Sequence, residues 1–308
     1  MKVAALGRTG SLLHAAQLVA GRGHEIVVIW TCPAEPEYTA DENDFSDLAK
    51  SLGAAFFCDL AINQQIDELS EFGCDIAISI NWLTKLKPDL LSVFPGGVLN
   101  AHCGDLPLYR GNACPNWAII NDEQRVGLSI HQMAEAIDEG PVVSKEFLQL
   151  QDDTYIGDIY DWLEERVPVM LADAVDGFAS GTLTATPQPD EHRQTLRTYP
   201  RRPDDARIDW NWNTQHIMRL IRASSHPFAG AFCTLEGNQR VTIWRAHPIE
   251  HPGPFMAVPG QICYRIANDP VVACGDGVLQ LTNVTVEGIA DAEDAKRLIH
   301  ASVRNRLI

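Results

Sequence analysis

Apolar and polar positions follow two different rhythms along this chain, and the change of rhythm marks its organisation. Through the first half, short apolar runs are each followed by a stretch with helical spacing: KVAALG, SLLHAAQLVAGRG, EIVVIW, ENDFSDLAKSLG, AAFF, NQQIDELSEFG and CDIAISI. Apolar runs bounded by turn residues predict buried strands, and their alternation with helices predicts β/α/β units on a parallel sheet. The expected fold is α/β, a Rossmann-like doubly wound N-terminal domain. Two further strands, VGLSIHQM and GPVVSKEFLQL, and a long helical segment from Tyr155 to about Gly177 complete it.

From Thr184 to Pro203 the sequence TATPQPDEHRQTLRTYPRRP is polar, aperiodic and contains four prolines, which predicts a linker. Beyond it NTQHIMRLIRAS has helical spacing. Then come five short strand-like segments, GAFCTLEG, QRVTIWRAH, GQICYRI, PVVACGDG and VLQLTNVTV, separated by Gly, Pro and Asn turns. That pattern predicts a small β-rich, OB-like C-terminal domain. The expected division is residues 1–185, a linker over 186–203, and 204–308.

Composition narrows the partners. A chain with 41 acidic and 24 basic residues carries a formal charge of -17, which repels nucleic acid phosphates. The only basic clusters, YPRRP and KRLIHASVRNR, carry few charges and are expected to be solvated surface. The opening MKVAALGRTG is too short in apolar residues for a signal peptide or membrane span, so the expected location is the cytoplasm. The 8 cysteines include no CxxC pair and the 10 histidines do not cluster, so neither a disulfide framework nor a metal site is expected.

Four features carry candidate chemistry. GRTGS, after the first strand, resembles a phosphate cradle but matches neither GxGxxG nor a P-loop, and is expected to be a tight turn. In VLNAHCGDLPLYRGNAC, Asn100 and His102 end an apolar run, and AIDEG places Asp138 in another loop. An imidazole with a carboxylate partner handles a proton, and an Asn amide donates to a developing oxyanion; a structural histidine at a strand end is the competing reading. Cys103 follows His102 directly, so on an extended strand the two face opposite ways and a thiol nucleophile is not expected. His131 and the tryptophans are expected in the core or a pocket wall, with Trp82 and Trp117 flanking the candidate site in sequence.

These residues resemble the 10-formyltetrahydrofolate-dependent formyltransferases, which include methionyl-tRNA formyltransferase and the sugar N-formyltransferases. The resemblance runs through GVLNAHCGDLPLYRGNACPNWAIIN and GLSIHQMAEAIDEGPVV and returns in RRPDDARIDW, IRASSHPFAGAF and VVACGDGVLQL. The family pattern, Asn-x-His, then Leu-Pro-x-Tyr-Arg-Gly, then Asp-x-Gly, falls here on Asn100, His102, Leu106, Pro107, Tyr109, Arg110, Gly111, Asp138 and Gly140.

The resemblance implies transfer of a formyl group from 10-formyltetrahydrofolate to a primary amine. Asn100 would stabilise the oxyanion, His102 would manage the amine proton and Asp138 would support His102. Ile80, Trp82, Leu106, Pro107 and Ile137 would line the folate pocket, and Gly104, Asp105, Tyr109 and Arg110 would face the acceptor, without a metal. The chain departs from the family at Cys103-Gly104-Asp105, where Gly104 replaces a Ser and Asp105 an apolar residue.

The segment after the second strand, TCPAEPEYTADENDFSDLAK, is acidic where tRNA-specific enzymes carry a basic insertion. RRPDDARIDW and HPFAGAF resemble the blocks of enzymes that formylate a nucleotide-linked amino sugar, and that is the acceptor the resemblance implies. Charged initiator tRNA, hydroxyornithine, water in a formyltetrahydrofolate hydrolase, and a folate-binding remnant without transfer are the alternatives. A homodimer is left open.

Overall fold

The computed structural model describes residues 1–35, 38–189, 194–235 and 239–308; residues 190–193 of the expected linker and 236–237 of GAFCTLEG lie outside the described residues. The chain forms two compact units. The first comprises Met1–Cys114, Arg125–Gln149 and Tyr160–Tyr199; the second comprises Pro115–Gln124, Leu150–Ile159 and Pro200–Ile308.

In the first unit, β1 (Lys2–Gly7), β2 (Glu25–Thr31), β3 (Ala55–Cys58), β4 (Ile76–Ile80) and β5 (Val98–His102) run parallel. The two-residue strand β6 (Arg110–Gly111) lies outside this sheet. Strands β7 (Arg125–Gln132) and β8 (Val142–Gln149) extend the sheet antiparallel from β5, giving the order β3-β2-β1-β4-β5-β7-β8. The reversal of order at β1 and β4 is the doubly wound, Rossmann-like arrangement. Helices α1 (Gly10–Gly21), α2 (Glu42–Leu52), α3 (Ile66–Glu71) and α4 (Pro88–Leu91) follow the parallel strands; α5 (Cys114–Ile120) belongs, but for Cys114, to the second unit, and the long α6 (Ile156–Ala179) belongs to the first from Tyr160 onward.

Parallel strands covered on both faces read as unbroken apolar runs. Every residue of β4 and β5 is buried. Within them Ile76, Ile78 and Leu99 are fully buried, and burial of each such side chain contributes roughly 1.5–3 kcal/mol. Helix α2 starts where the sequence places an acidic cap: Asp41 accepts from the Asn43 and Asp44 amides, and Asp44 accepts from the Asp41 amide in return.

The stretch expected as linker is not featureless. Thr186 exchanges two backbone hydrogen bonds with Val142, each 2.8 Å, and β9 (Arg197–Thr198) pairs parallel with β6. Polar, proline-rich composition hid these short pairings because one or two residues carry no period.

In the second unit, α7 (Thr214–Ser224) buries Ile217, Leu220 and Ile221 at the i, i+3, i+4 spacing of an amphipathic helix. The five expected strands are β10 (Ala231–Leu235), β11 (Gln239–Ile249), β12 (Ile262–Ile266), β13 (Asp269–Ala273) and β14 (Val278–Val286), all antiparallel in the order β10-β11-β14-β13-β12. The chain's last residues join the two outer strands. Thr234 and Ile308 exchange backbone bonds of 2.8 Å, and the Leu307 amide donates to the Gly260 carbonyl at 2.8 Å.

The basic C-terminal cluster is therefore not simply solvated surface. Its first part lies in α8 (Ala292–Ile299), where Asp291 caps the amide of Asp294 and Ala295 and Ile299 are buried; its end supplies the pairing tail, with Leu307 also buried. Arg201 of YPRRP is likewise drawn in, donating to the Asp205 carbonyl at 3.0 Å and lying 5.7 Å from the centre of the Trp117 ring. Among the described residues no helix is long and apolar enough to cross a membrane.

Candidate active site

Strand β5 sets the first two polar side chains. Asn100 and His102 are two residues apart, so both project from one face of the sheet. The antiparallel register with β7 puts His131 opposite Asn100 and Ser129 opposite His102. Residues directly opposite share a face, so the register brings His131 to the same place. Its placement was not readable from the sequence, because no local pattern in SIHQM reveals which residue of another strand it will oppose.

Asp138 arrives from the connection between β7 and β8. Because β7 runs antiparallel to β5, this connection leaves opposite Leu99 and not beyond the carboxyl end of β5. It folds back over the face that bears Asn100 and His131. Asp138 itself is left-handed, with φ 57°, and Gly140 lies so close to Gln132 that a Cβ there would sit 1.8 Å from the Gln132 carbonyl oxygen. The Asp-x-Gly spacing is thus a requirement of the return path.

The side chains converge. His102 Nδ1 lies 3.5 Å from Asp138 Oδ2, and His131 Nε2 lies 3.6 Å from Oδ1. The Gly111 amide donates to Asp138 Oδ2 at 2.8 Å. His131 Nδ1 donates to the Gln132 carbonyl at 3.0 Å, which leaves Nε2 to accept from Asn100 Nδ2 at 3.1 Å. One proton of the Asn100 amide is then engaged and the other is available to an incoming oxygen. At 3.6 Å the His131–Asp138 contact is too long for a hydrogen bond, and it is attractive only when the ring also carries a proton on Nε2.

Both nitrogens of His102 face acceptors. Nε2 donates to the Tyr109 carbonyl at 2.6 Å with Cys114 Sγ at 3.7 Å, and Nδ1 faces the carboxylate. Burial opposes a charge on this ring, but the Cys114 contact and the Asp138 carboxylate outweigh it, and the imidazole is held above its ordinary value. Burial likewise pushes Asp138 up, yet His131, His102 and the Gly111 amide bring its carboxyl down to about 2. Asp138 is a fixed negative charge at any physiological pH. Loss of solvation pushes the Cys103 thiol up to about 12, so it stays protonated and is a poor nucleophile.

The remaining predicted residues are placed as follows. A Cβ on Gly104 would lie 2.5 Å from the Tyr109 carbonyl oxygen and 2.6 Å from His102 Nε2. Asp105 is paired with Lys145 at 2.9 Å and Arg125 at 3.1 Å. Arg110, buried, is bonded to Gln188 and lies 3.4 Å from Glu139, while the Tyr109 carbonyl serves His102 and Cys114.

Leu106 is fully buried beside Pro107, Ile80 ends β4, and Trp82 follows it with its indole N–H on Thr84 at 2.9 Å. Ile137 is 55% exposed beside Asp138. The Lys85–Glu135 pair, at 3.9 Å, brings the connection after β4 next to the one that carries Ile137. Such an arrangement can bind an oxyanion at Asn100 and accept a proton at His102, next to two loops with apolar side chains.

Comparison with known proteins identifies the family. The model of the family described as Formyl transferase matches residues 2–175, and that of Formyl transferase, C-terminal domain, matches residues 201–298. The fold is similar to that of an N-formyltransferase from Helicobacter canadensis in complex with folinic acid and dTDP-3-aminofucose, with 13% identity, TM-score 0.66, and coverage of 91% of this chain and 97% of that one. A 4-N formyltransferase from Francisella tularensis has 17% identity and TM-score 0.62 over 79% of this chain and 96% of its own. HypX from Aquifex aeolicus in complex with tetrahydrofolic acid has 18% identity and TM-score 0.60 over 84% of this chain, which spans only 44% of HypX. With the N-terminal family model covering more than half of its 308 residues, this chain belongs to the formyl transferase family.

Proposed function

We propose that the chain transfers a formyl group from 10-formyltetrahydrofolate to a primary amine, and that the amine belongs to a nucleotide-linked amino sugar. The observation that carries the reading is the convergence of Asn100 and His102, from strand β5, with Asp138, from the connection between β7 and β8, on one sheet face. In this reading the amine nitrogen bonds to the formyl carbon while the carbon's bond to the folate nitrogen breaks. The free Asn100 N–H meets the formyl oxygen as negative charge grows on it. His102 takes the proton leaving the amine and returns it to the folate nitrogen, so atoms and charge balance. Asp138, ionised throughout, stabilises the imidazolium in between.

A folate donor suits the residues beside this cluster. Trp82 and the exposed Ile137, on two adjacent connections, offer apolar contact for a flat heterocycle, with Ile80 beneath them at the end of β4. The choice of acceptor is supported by charge. The segment around α2 is acidic and the chain carries -17, so a polyanionic tRNA is a poor match. The Helicobacter canadensis relative, crystallised with dTDP-3-aminofucose, supports the sugar class.

A panel assay tests the reading. The chain is supplied with 10-formyltetrahydrofolate and offered nucleotide amino sugars, hydroxyornithine, charged initiator tRNA or no amine, and tetrahydrofolate release is followed. Turnover that depends on a nucleotide amino sugar is expected. Formate release without amine, or turnover with tRNA alone, would replace the proposed acceptor.

A further inference from the structure

One side chain ties the two loops of the site to each other. The Thr186–Val142 pairing sets Gln188 beside the connection that carries Asp138. The Gln188 amide nitrogen donates to the carbonyls of Asp138, at 2.8 Å, and Gly140, at 2.7 Å. Its oxygen accepts from Nε and Nη2 of Arg110, at 3.1 and 2.8 Å. A primary amide has two N–H donors and two acceptor lone pairs, so its capacity is used in full.

The bonds fall where the backbone needs them. A left-handed non-glycine such as Asp138 is strained and persists only when its surroundings hold it. Its carboxylate is held by the Gly111 amide and its carbonyl by Gln188. Because Gly111 follows Arg110, Gln188 grips the chain on both sides of the Gly111–Asp138 contact.

We infer that Gln188 is a positioning residue for the transfer: by bridging Arg110 to the Asp138 and Gly140 carbonyls, it sets the separation of the Asp138 carboxylate from His102. This rests on the proposed reading of His102 and Asp138 as the reacting pair. Gln188 touches neither side chain and acts through the backbone.

The test compares wild type with Gln188→Ala and Gln188→Met, the second keeping nearly the side-chain volume without its hydrogen bonds. The first readout is the titration of the His102 imidazole by NMR in the protein without substrate, which needs no turnover. The titratable groups facing His102 are Asp138, Cys114 and His131. In both variants the His102 midpoint is expected to fall at least half as far as in Asp138→Asn. With substrates, kcat should fall about tenfold with KM for the folate within about twofold, since the loss is one of alignment.

A His102 midpoint and kcat unchanged in either variant would overturn the inference. So would a drop in Tm alone, with unchanged kcat per folded molecule, which is what a merely structural glutamine would give. If wild type transfers no formyl group to any amine, the functional reading fails, and the titration still decides whether Gln188 sets the His102–Asp138 pair.

Discussion

Two polar clusters flank the turn after β5, and each puts an aspartate to a different end. On one side Asn100, His102, His131 and Asp138 are buried or nearly so and meet on one sheet face, with His102, His131 and Asp138 each bonded to a backbone group. On the other, Asp105, Lys145 and Arg125 form ion pairs whose side chains keep between 22% and 50% of their exposure. In the first cluster the groups are desolvated, so each neighbour moves protonation by a large amount. In the second, water screens the pairs and their main effect is to hold the turn against β7 and β8. Residue type does not separate a chemical site from a fastening; burial and convergence do.

The sharpest way to test this contrast is to remove the buried groups one at a time. His102→Ala and Asn100→Ala are each expected to lower kcat by about 100-fold or more, the usual size of a lost proton-transfer or oxyanion group. Steady-state kinetics with the preferred amine would measure it, and a variant retaining full turnover would break the assignment. Gly104→Ser comes next. Its Cβ would press on the Tyr109 carbonyl oxygen and on His102 Nε2 at 2.5 and 2.6 Å, so the ring must rotate away from Asp138 or the turn must move. We expect about a tenfold loss of kcat and a loss of roughly 1–3 kcal/mol in urea unfolding, the range for overpacking.

A smaller effect should appear in the pH profile. Asp138, held down to about 2, does not titrate in the working range, so the acid limb of kcat/KM belongs to His102. With the imidazole raised, activity should fall as pH drops through a midpoint above about 6.5, the ordinary histidine value. Asp138→Asn removes one of the influences that raise it, and the midpoint should then move down. An acid limb that stays in place in that variant would separate His102 from Asp138 and dissolve the buried cluster as a unit.

The two clusters were unequally legible in the sequence. The β/α rhythm and the five C-terminal strands were readable because runs and alternation are properties of neighbouring residues. Asn100 and His102 stand out as polar side chains ending an apolar run and AIDEG offers Asp138 as a carboxylate partner, but the residues alone leave a structural histidine as the competing reading, and only the family resemblance gives the three their roles. No local pattern foretells that the connection after an antiparallel β7 returns over the sheet. His131 read as core packing because its role depends on register, and Gln188 was lost in a polar, aperiodic stretch. Helix α8 and the tail that joins β10 to the start of β12 were masked by basic residues, whose charge concealed the buried Ala295, Ile299 and Leu307.

The smallest expected effect bears most directly on the comparison. The resemblance implies an apolar residue where Asp105 stands and sets that position against the acceptor. Here its two oxygens are taken by Lys145 and Arg125; the Lys145 ammonium also donates to the Leu106 carbonyl, and the Arg125 guanidinium lies 3.9 Å above the Phe147 ring. A carboxylate occupied in this way has little left for a substrate. Asp105→Asn should therefore cost less than about 1 kcal/mol, with the difference from wild type shrinking at high salt, and should leave kcat and the KM for the amine within about twofold. A tenfold rise in that KM at unchanged stability would show that Asp105 leaves its ion pairs to meet the acceptor. The second cluster would then be part of the site, and exposure would no longer mark the boundary between fastening and chemistry.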